Sequence, residues 1–97
     1  MPLESKFQAD LKVELKLMFP GCYILKNDAR YIRGVPDLII LYKDKWAMLE
    51  CKREPDAAKQ PLQPYHRDRL DEMSFAAFIY PENKGEVLHA LRTLFSS

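Results

Sequence analysis

The sequence predicts an α/β fold: a mixed sheet flanked by helices, in the order α-β-β-β-α-β-α, within one domain spanning residues 1–97. Three observations predict it. Apolar residues recur at helical spacing near both ends of the chain. The central run Leu38-Ile39-Ile40-Leu41-Tyr42 is apolar on both faces, the pattern of a strand covered on two sides. A chain of 97 residues is also the size of one small core.

Taken in order, Leu3, Phe7, Leu11, Leu15, Met18 and Phe19 define the first helix, and Pro20-Gly21 terminates it. Cys22 to Lys26 reads as a short strand. Asn27 to Gly34 is polar and aromatic without periodicity, hence a loop. Leu38 to Tyr42 is the second strand, Lys43-Asp44-Lys45 the turn, and Trp46 to Cys51 the returning strand. Arg53 to Pro61 is a polar, Pro-containing loop. Leu62 to Met73 is the second helix, and Pro64 fits only in its first turn because proline lacks the N–H needed further in. Phe75 to Tyr80 is the last strand, ended by Pro81. Asn83-Lys84-Gly85-Glu86 has the form of a capping box with Asn in place of Ser or Thr. The helix it opens carries Val87, Leu88, Leu91, Leu94 and Phe95 on one face.

Hydrophobic residues make up 47% of the chain and charged residues 30%, an ordinary globular composition. A net charge of +1 rules out a strong overall positive field, although a local basic patch still suits nucleic acid. Cys22 and Cys51 lie far apart and match no metal-finger spacing; both are expected as reduced thiols within strands. The N-terminal MPLESKFQAD has no apolar core of a signal peptide. No apolar run reaches the roughly 18 residues of a membrane span. The expectation is a cytoplasmic protein with no membrane partner.

The chemistry is concentrated in the hairpin. Asp37 begins its first strand, and Glu50 and Lys52, two residues apart, leave the second strand on one face. A two-residue turn sets Asp37 opposite Glu50 or Lys52, whereas a symmetric three-residue turn sets it opposite Cys51. A bulge near Pro36 would correct the latter, so the register stays open at this point. If the three converge, two carboxylates at close range call for a cation between them, and hard oxygen ligands suit Mg²⁺ or Mn²⁺. Such a metal polarises a phosphoryl oxygen and acidifies a bound water, and a neighbouring lysine orients that water or offsets transition-state charge. The alternative is a surface hairpin that ends in solvated charges.

Pro36-Asp37 followed by Glu50-Cys51-Lys52, in this element order, resembles the PD-(D/E)XK nuclease superfamily, with its restriction-endonuclease-like core. Gly34 to Asp37, the ECK strand and the glutamine-bearing helix after it look most like the VRR-NUC (virus-type replication-repair nuclease) group. The likeness covers nearly the whole chain and points to a stand-alone, phage-type member, acting in the cytoplasm of a bacterial host. It implies Mg²⁺- or Mn²⁺-dependent cleavage of DNA phosphodiesters, and its small members resemble Holliday junction resolvases, which act on branched DNA. By this resemblance Asp37 and Glu50 bind metal and Lys52 serves the attacking water. Cys51 fills the variable position, where its backbone carbonyl alone can be a ligand and its thiol need have no role.

Further residues surround this candidate site. Glu4 lies only about 25° from the centre of the first helix's apolar stripe at 100° per residue. A carboxylate there is costly unless paired or bound, and Glu4 resembles the helix-borne metal ligand of related nucleases. The alternative is a first-turn glutamate that complements the helix dipole. Glu14, at the stripe's edge, is a weaker candidate for the same place. Gln63, at the start of the second helix, matches the family's glutamine, with Gln60 as the nearby competitor. His66 and His89 read as surface histidines. Arg30, Tyr31, Arg33, Arg53, Lys59 and Arg67 form an expected nucleic-acid-contacting rim, with Tyr31 able to stack or wedge. No base-reading motif occurs. Resolution of a four-way junction needs two cuts, and one site per domain therefore implies a homodimer. Trp46, Met48, Tyr23 and Tyr31 are the candidate interface residues. The competing function is a noncatalytic nucleic-acid-binding subunit of a replication or repair assembly.

Overall fold

The protein is described by a computed structural model covering residues 3–28, 30–59 and 61–97; the side chains of Leu3 and Glu4 lie outside that description. Helix α1 (Leu3–Met18) leads into strand β1 (Tyr23–Lys26). Strands β2 (Leu38–Tyr42) and β3 (Lys45–Cys51) form the hairpin, and α2 (Leu62–Met73), β4 (Ala76–Ile79) and α3 (Lys84–Ser96) complete the chain. The order is α-β-β-β-α-β-α, as expected. The four strands form one mixed sheet ordered β1-β2-β3-β4. The first three are antiparallel, and β4 runs parallel to β3.

Alternation along the strands divides the sheet into two unlike faces. One carries Leu38, Ile40, Ala47, Leu49 and Cys51, all fully buried, and packs with Leu11, Leu15 and Phe19 of the α1 region and with Val87, Leu88, Leu91 and Phe95 of α3. Phe19, Tyr42 and Phe95 close one end of this core with ring centroids 4.9 to 5.5 Å apart. Glu14 Oε2 meets Lys84 Nζ at 3.0 Å and ties α1 to α3. At such a partly exposed pair this contributes about 1 kcal/mol at most.

The other face is covered only in part. Helix α2 buries none of its own residues and is held largely by polar contacts. Arg67 Nε donates to the Ala76 carbonyl at 3.1 Å, and Asp71 Oδ1 accepts from the Ala76 amide at 3.0 Å. Ser74 Oγ, just past the helix, donates to the Trp46 carbonyl. Because α2 packs chiefly on β4, the β1–β2 side stays open, and Tyr23, Leu25 and Leu41 are exposed there. Strand β2 is therefore central in the sheet, but covered on one face rather than two. On its second face Ile39 is half-buried and Leu41 exposed, a difference that a run apolar on both faces does not reveal.

Three local expectations change. The hairpin turn is the two-residue Lys43-Asp44, since Lys45 already pairs with Tyr42, and Lys43 takes a left-handed φ of 58° to close it. The capping box at α3 does not form. Asn83 is the N-cap, but its side chain turns back, accepting from the Tyr80 amide at 2.9 Å and donating to the Phe78 carbonyl at 3.0 Å. Cys22 lies one residue before β1, half-buried, with its thiol directed at the Leu15 carbonyl. Burial pushes that thiol's pKa up, against the opposing pull of Lys16. Both cysteines are free. Among the described residues, no helix is long and apolar enough to cross a membrane.

Candidate active site

The site begins with the hairpin register. Leu38 pairs with Leu49, so one step further down the ladder Asp37 falls beside Glu50. This is the first of the two alternatives that a two-residue turn allows. No bulge is needed, because the turn has the length that keeps Asp37 and Glu50 in step. Glu50 and Lys52 leave β3 on the face away from Leu49 and Cys51. Each is only 7% exposed, and Glu and Lys are almost never that buried unless compensated.

Asp37 is held on three sides. Its Oδ2 accepts from Gln8 Nε2 at 2.9 Å, and its Oδ1 accepts from the Cys51 amide at 3.3 Å. Its backbone carbonyl accepts from the Asn27 amide at 2.8 Å. The carboxylate is thus aimed by a helix on one side and by the next strand on the other. Lys52 is anchored through its backbone, which donates to the Ile79 carbonyl at 2.9 Å. Its Nζ donates to the Ala58 carbonyl at 3.1 Å, in the connection to α2. Cys51 lies between them with its side chain wholly in the core, which leaves only its main chain available to the site.

Gln8 is the residue that sequence reasoning misses. The available signal is its spacing: it lies one helical turn after Glu4, and residues four apart share a helix face. The side chain of Glu4 itself, the expected helix-borne ligand, lies outside the described residues. Glu14 lies six residues beyond Gln8, about 9 Å along the axis, where it pairs with Lys84 rather than with Asp37.

The start of α2 is brought in by Gly34. This buried glycine has φ of 85°, and a Cβ placed on it would lie 2.6 Å from the Leu62 Cβ. Only glycine permits that approach, and it seats the first turn of α2, with half-buried Gln63 next to Leu62, against the loop that leads into Asp37. Gln60, the competitor, lies outside the described residues. His66 is edge-on to Tyr65 at 5.1 Å, and His89 is exposed on α3.

The expected basic rim divides into two groups. Arg33 and Tyr31 are exposed, Tyr31 by 87%. Arg30 is also exposed but grips Asp28 with two bonds of 3.1 Å, which hold the Asp28 carboxyl below its usual range. Arg53 lies 3.7 Å from Glu54. Lys59 donates to the Pro55 carbonyl and lies over the Phe78 ring at 5.1 Å. Arg67 serves mainly to pin α2, since Ala76, Asp68 and Asp71 all engage it.

Asp37 and Glu50 offer hard oxygens of the kind that bind Mg²⁺ or Mn²⁺, and one or two carboxylates suffice when substrate phosphate and water complete the shell. Among the described residues, no group of three or more His, Cys, Asp or Glu is arranged to hold a metal ion. The charged groups that the hairpin mouth brings to the site are two carboxylates, Asp37 and Glu50, and the buried Lys52. Comparison with protein-family models, with curated proteins and with solved structures finds no match to this chain.

Proposed function

We propose that the protein is a metal-dependent DNA endonuclease of the PD-(D/E)XK type, hydrolysing phosphodiester bonds in branched DNA such as four-way junctions. The observation that carries this reading is the hairpin register, whose last pair is Leu38 with Leu49 and which, continued by one step, puts Asp37 opposite Glu50, with Lys52 two residues on and as buried as Glu50. A solvated hairpin end has no reason to bury a carboxylate and an ammonium, and a binding surface has no use for charges withdrawn from its partner.

In this reading Asp37 and Glu50 hold Mg²⁺ or Mn²⁺, which when bound polarises the scissile phosphate and acidifies a water. Gln8 and the Cys51 amide keep the Asp37 carboxylate in one orientation before substrate arrives, the preorganisation that makes electrostatic catalysis effective. The ammonium of Lys52 moves from the Ala58 carbonyl to the attacking water or to the developing phosphorane charge. Gln63, at the mouth, orients the water or a phosphate oxygen. Arg33, Arg53 and Lys59 contact the backbone on either side, and recognition proceeds through shape rather than base edges.

Two cuts on a four-way junction require two sites, so the working form is a homodimer. Tyr23 and Leu25 of edge strand β1 and Leu41 of β2, all on the open sheet face, are the surface best suited to a second copy. The deciding experiment is a cleavage assay of the purified chain on linear, flap and four-way DNA with Mg²⁺, Mn²⁺ or Ca²⁺. Metal-dependent cleavage favouring branched DNA is expected; binding without cleavage under every condition would leave the noncatalytic subunit.

A further inference from the structure

Next to the site lies a cavity of about 420 Å³, lined by Lys26, Asn27, Asp28, Tyr31, Ile32, Val35, Met48 and Leu70. Its walls come from three places: the loop after β1, the open face of β3, and the inner side of α2. Three features bear on what it holds. The first is its chemistry. Ile32, Val35, Met48 and Leu70 make the walls apolar, and Tyr31, 87% exposed, stands at the edge with its ring faces free to stack. The second is charge. Between positions 26 and 33 the chain carries three cations, Lys26, Arg30 and Arg33, against the single carboxylate of Asp28. Arg30 already covers that carboxylate. An apolar slot within a basic rim matches a planar aromatic group attached to a phosphate backbone.

The third feature is position. The loop is fastened at one end to Asp37 and at the other to the start of α2. Asn27, which lines the cavity, donates its amide to the Asp37 carbonyl at 2.8 Å and its Nδ2 to the Pro36 carbonyl at 2.7 Å. Gly34, at the other end, is wedged against Leu62. The cavity thus keeps a constant relation to Asp37 and to the start of α2.

We propose that this cavity receives one unpaired nucleobase of the DNA substrate, stacked on Tyr31 and inserted between Met48 and Leu70, so that the phosphate next to an unpaired nucleotide is delivered to Asp37 and Glu50. The inference rests on the nuclease reading and names what that site selects: a strand with an extruded or unpaired base at the branch, rather than the fully paired arms. Stacking of a base on an aromatic side chain is sequence-tolerant and strengthens binding by about tenfold or more, which accords with a chain that has no base-reading motif.

The test uses two DNA duplexes that differ only in one unpaired 2-aminopurine nucleotide, with Ca²⁺ present so that binding is read apart from turnover. The wild-type protein is expected to bind the duplex with the unpaired base about tenfold more tightly and to change the 2-aminopurine fluorescence on binding. Tyr31→Ala removes the stacking face at an exposed position, and Leu70→Trp fills the slot. Each is expected to bring the affinity ratio close to one, with circular dichroism confirming the fold. Equal wild-type affinities, unchanged fluorescence, or a ratio that survives both substitutions would overturn the proposal. So would a Tyr31→Ala variant whose only change is a lower mass in light scattering, because the cavity would then belong to a contact between copies. Cleavage of the same duplexes with Mg²⁺ separates the two readings. Cutting without preference for the unpaired base defeats the cavity alone, whereas preference in binding without any cutting upholds the cavity and defeats the hydrolase.

Discussion

Gln8 Nε2 donates to Asp37 Oδ2 at 2.9 Å, joining the first helix to the hairpin mouth across 29 positions of sequence. Groups that orient a metal-binding carboxylate typically affect metal affinity or activity by 10- to 100-fold. Gln8→Ala is therefore expected to weaken Mn²⁺ binding by about tenfold while stability changes little. Calorimetric titration with Mn²⁺ measures it, and an unchanged affinity would reduce the contact to a structural one.

Lys52→Ala is expected to abolish cleavage while fold and DNA binding persist. The Nζ contact to Ala58 is a single bond to an exposed residue, so its loss costs about 1 kcal/mol, and water replaces it. Near-wild-type turnover in the purified variant would remove Lys52 from the catalytic group.

Glycine replacement separates two kinds of constraint. Gly21 has φ of 89° and open space around its missing Cβ, whereas Gly34 has φ of 85° and the Leu62 Cβ 2.6 Å away. Gly21→Ala carries only backbone strain, about 1 kcal/mol. Gly34→Ala adds overpacking, for a total of about 3 kcal/mol, and displaces the first turn of α2 together with Gln63. Urea midpoints of the two variants check the order.

The thiols are expected to resist modification in the native state. Cys51 is fully buried, and burial raises the Cys22 thiol's pKa. A raised thiol pKa means that the unfolded chain deprotonates first. The Cys22 contribution to stability is then complete below the unfolded thiol pKa, about 8.5, and is lost as pH rises through the higher folded value. A thiol reagent at pH 8 should label both cysteines at once in urea and both slowly in buffer. Fast labelling of native Cys51 would contradict the packing.

The proposed homodimer has its own check. Tyr23→Arg on the open face of β1 should shift the mass in light scattering from that of two chains to that of one. A single-chain mass for the wild-type protein at all usable concentrations would sink the dimer and, with it, paired cutting of a four-way junction.

The pattern of apolar residues, with the positions of Pro and Gly, was sufficient to determine the element order and the span Leu62–Met73, and placed the end of α1 within two residues, since the helix stops at Met18 just before Pro20-Gly21. Each follows from local periodicity or from the steric demands of Pro and Gly, which act over a few residues. The register between Asp37 and Glu50 was not determined in this way. It depends on whether Lys45 belongs to the turn or to the strand, and the ladder decides that through Tyr42 and the left-handed Lys43. The Asn83 cap failed for a related reason: its side chain has strand-end groups at Tyr80 and Phe78 within reach, and they compete for it. Tertiary structure alone brought Gln8 to Asp37, set Gly34 on Leu62 and separated Glu14 from the site. All three rest on contacts between segments distant in sequence, Gln8 with Asp37, Gly34 with Leu62 and Glu14 with Lys84, and no periodicity in one segment encodes which residue of another it will meet.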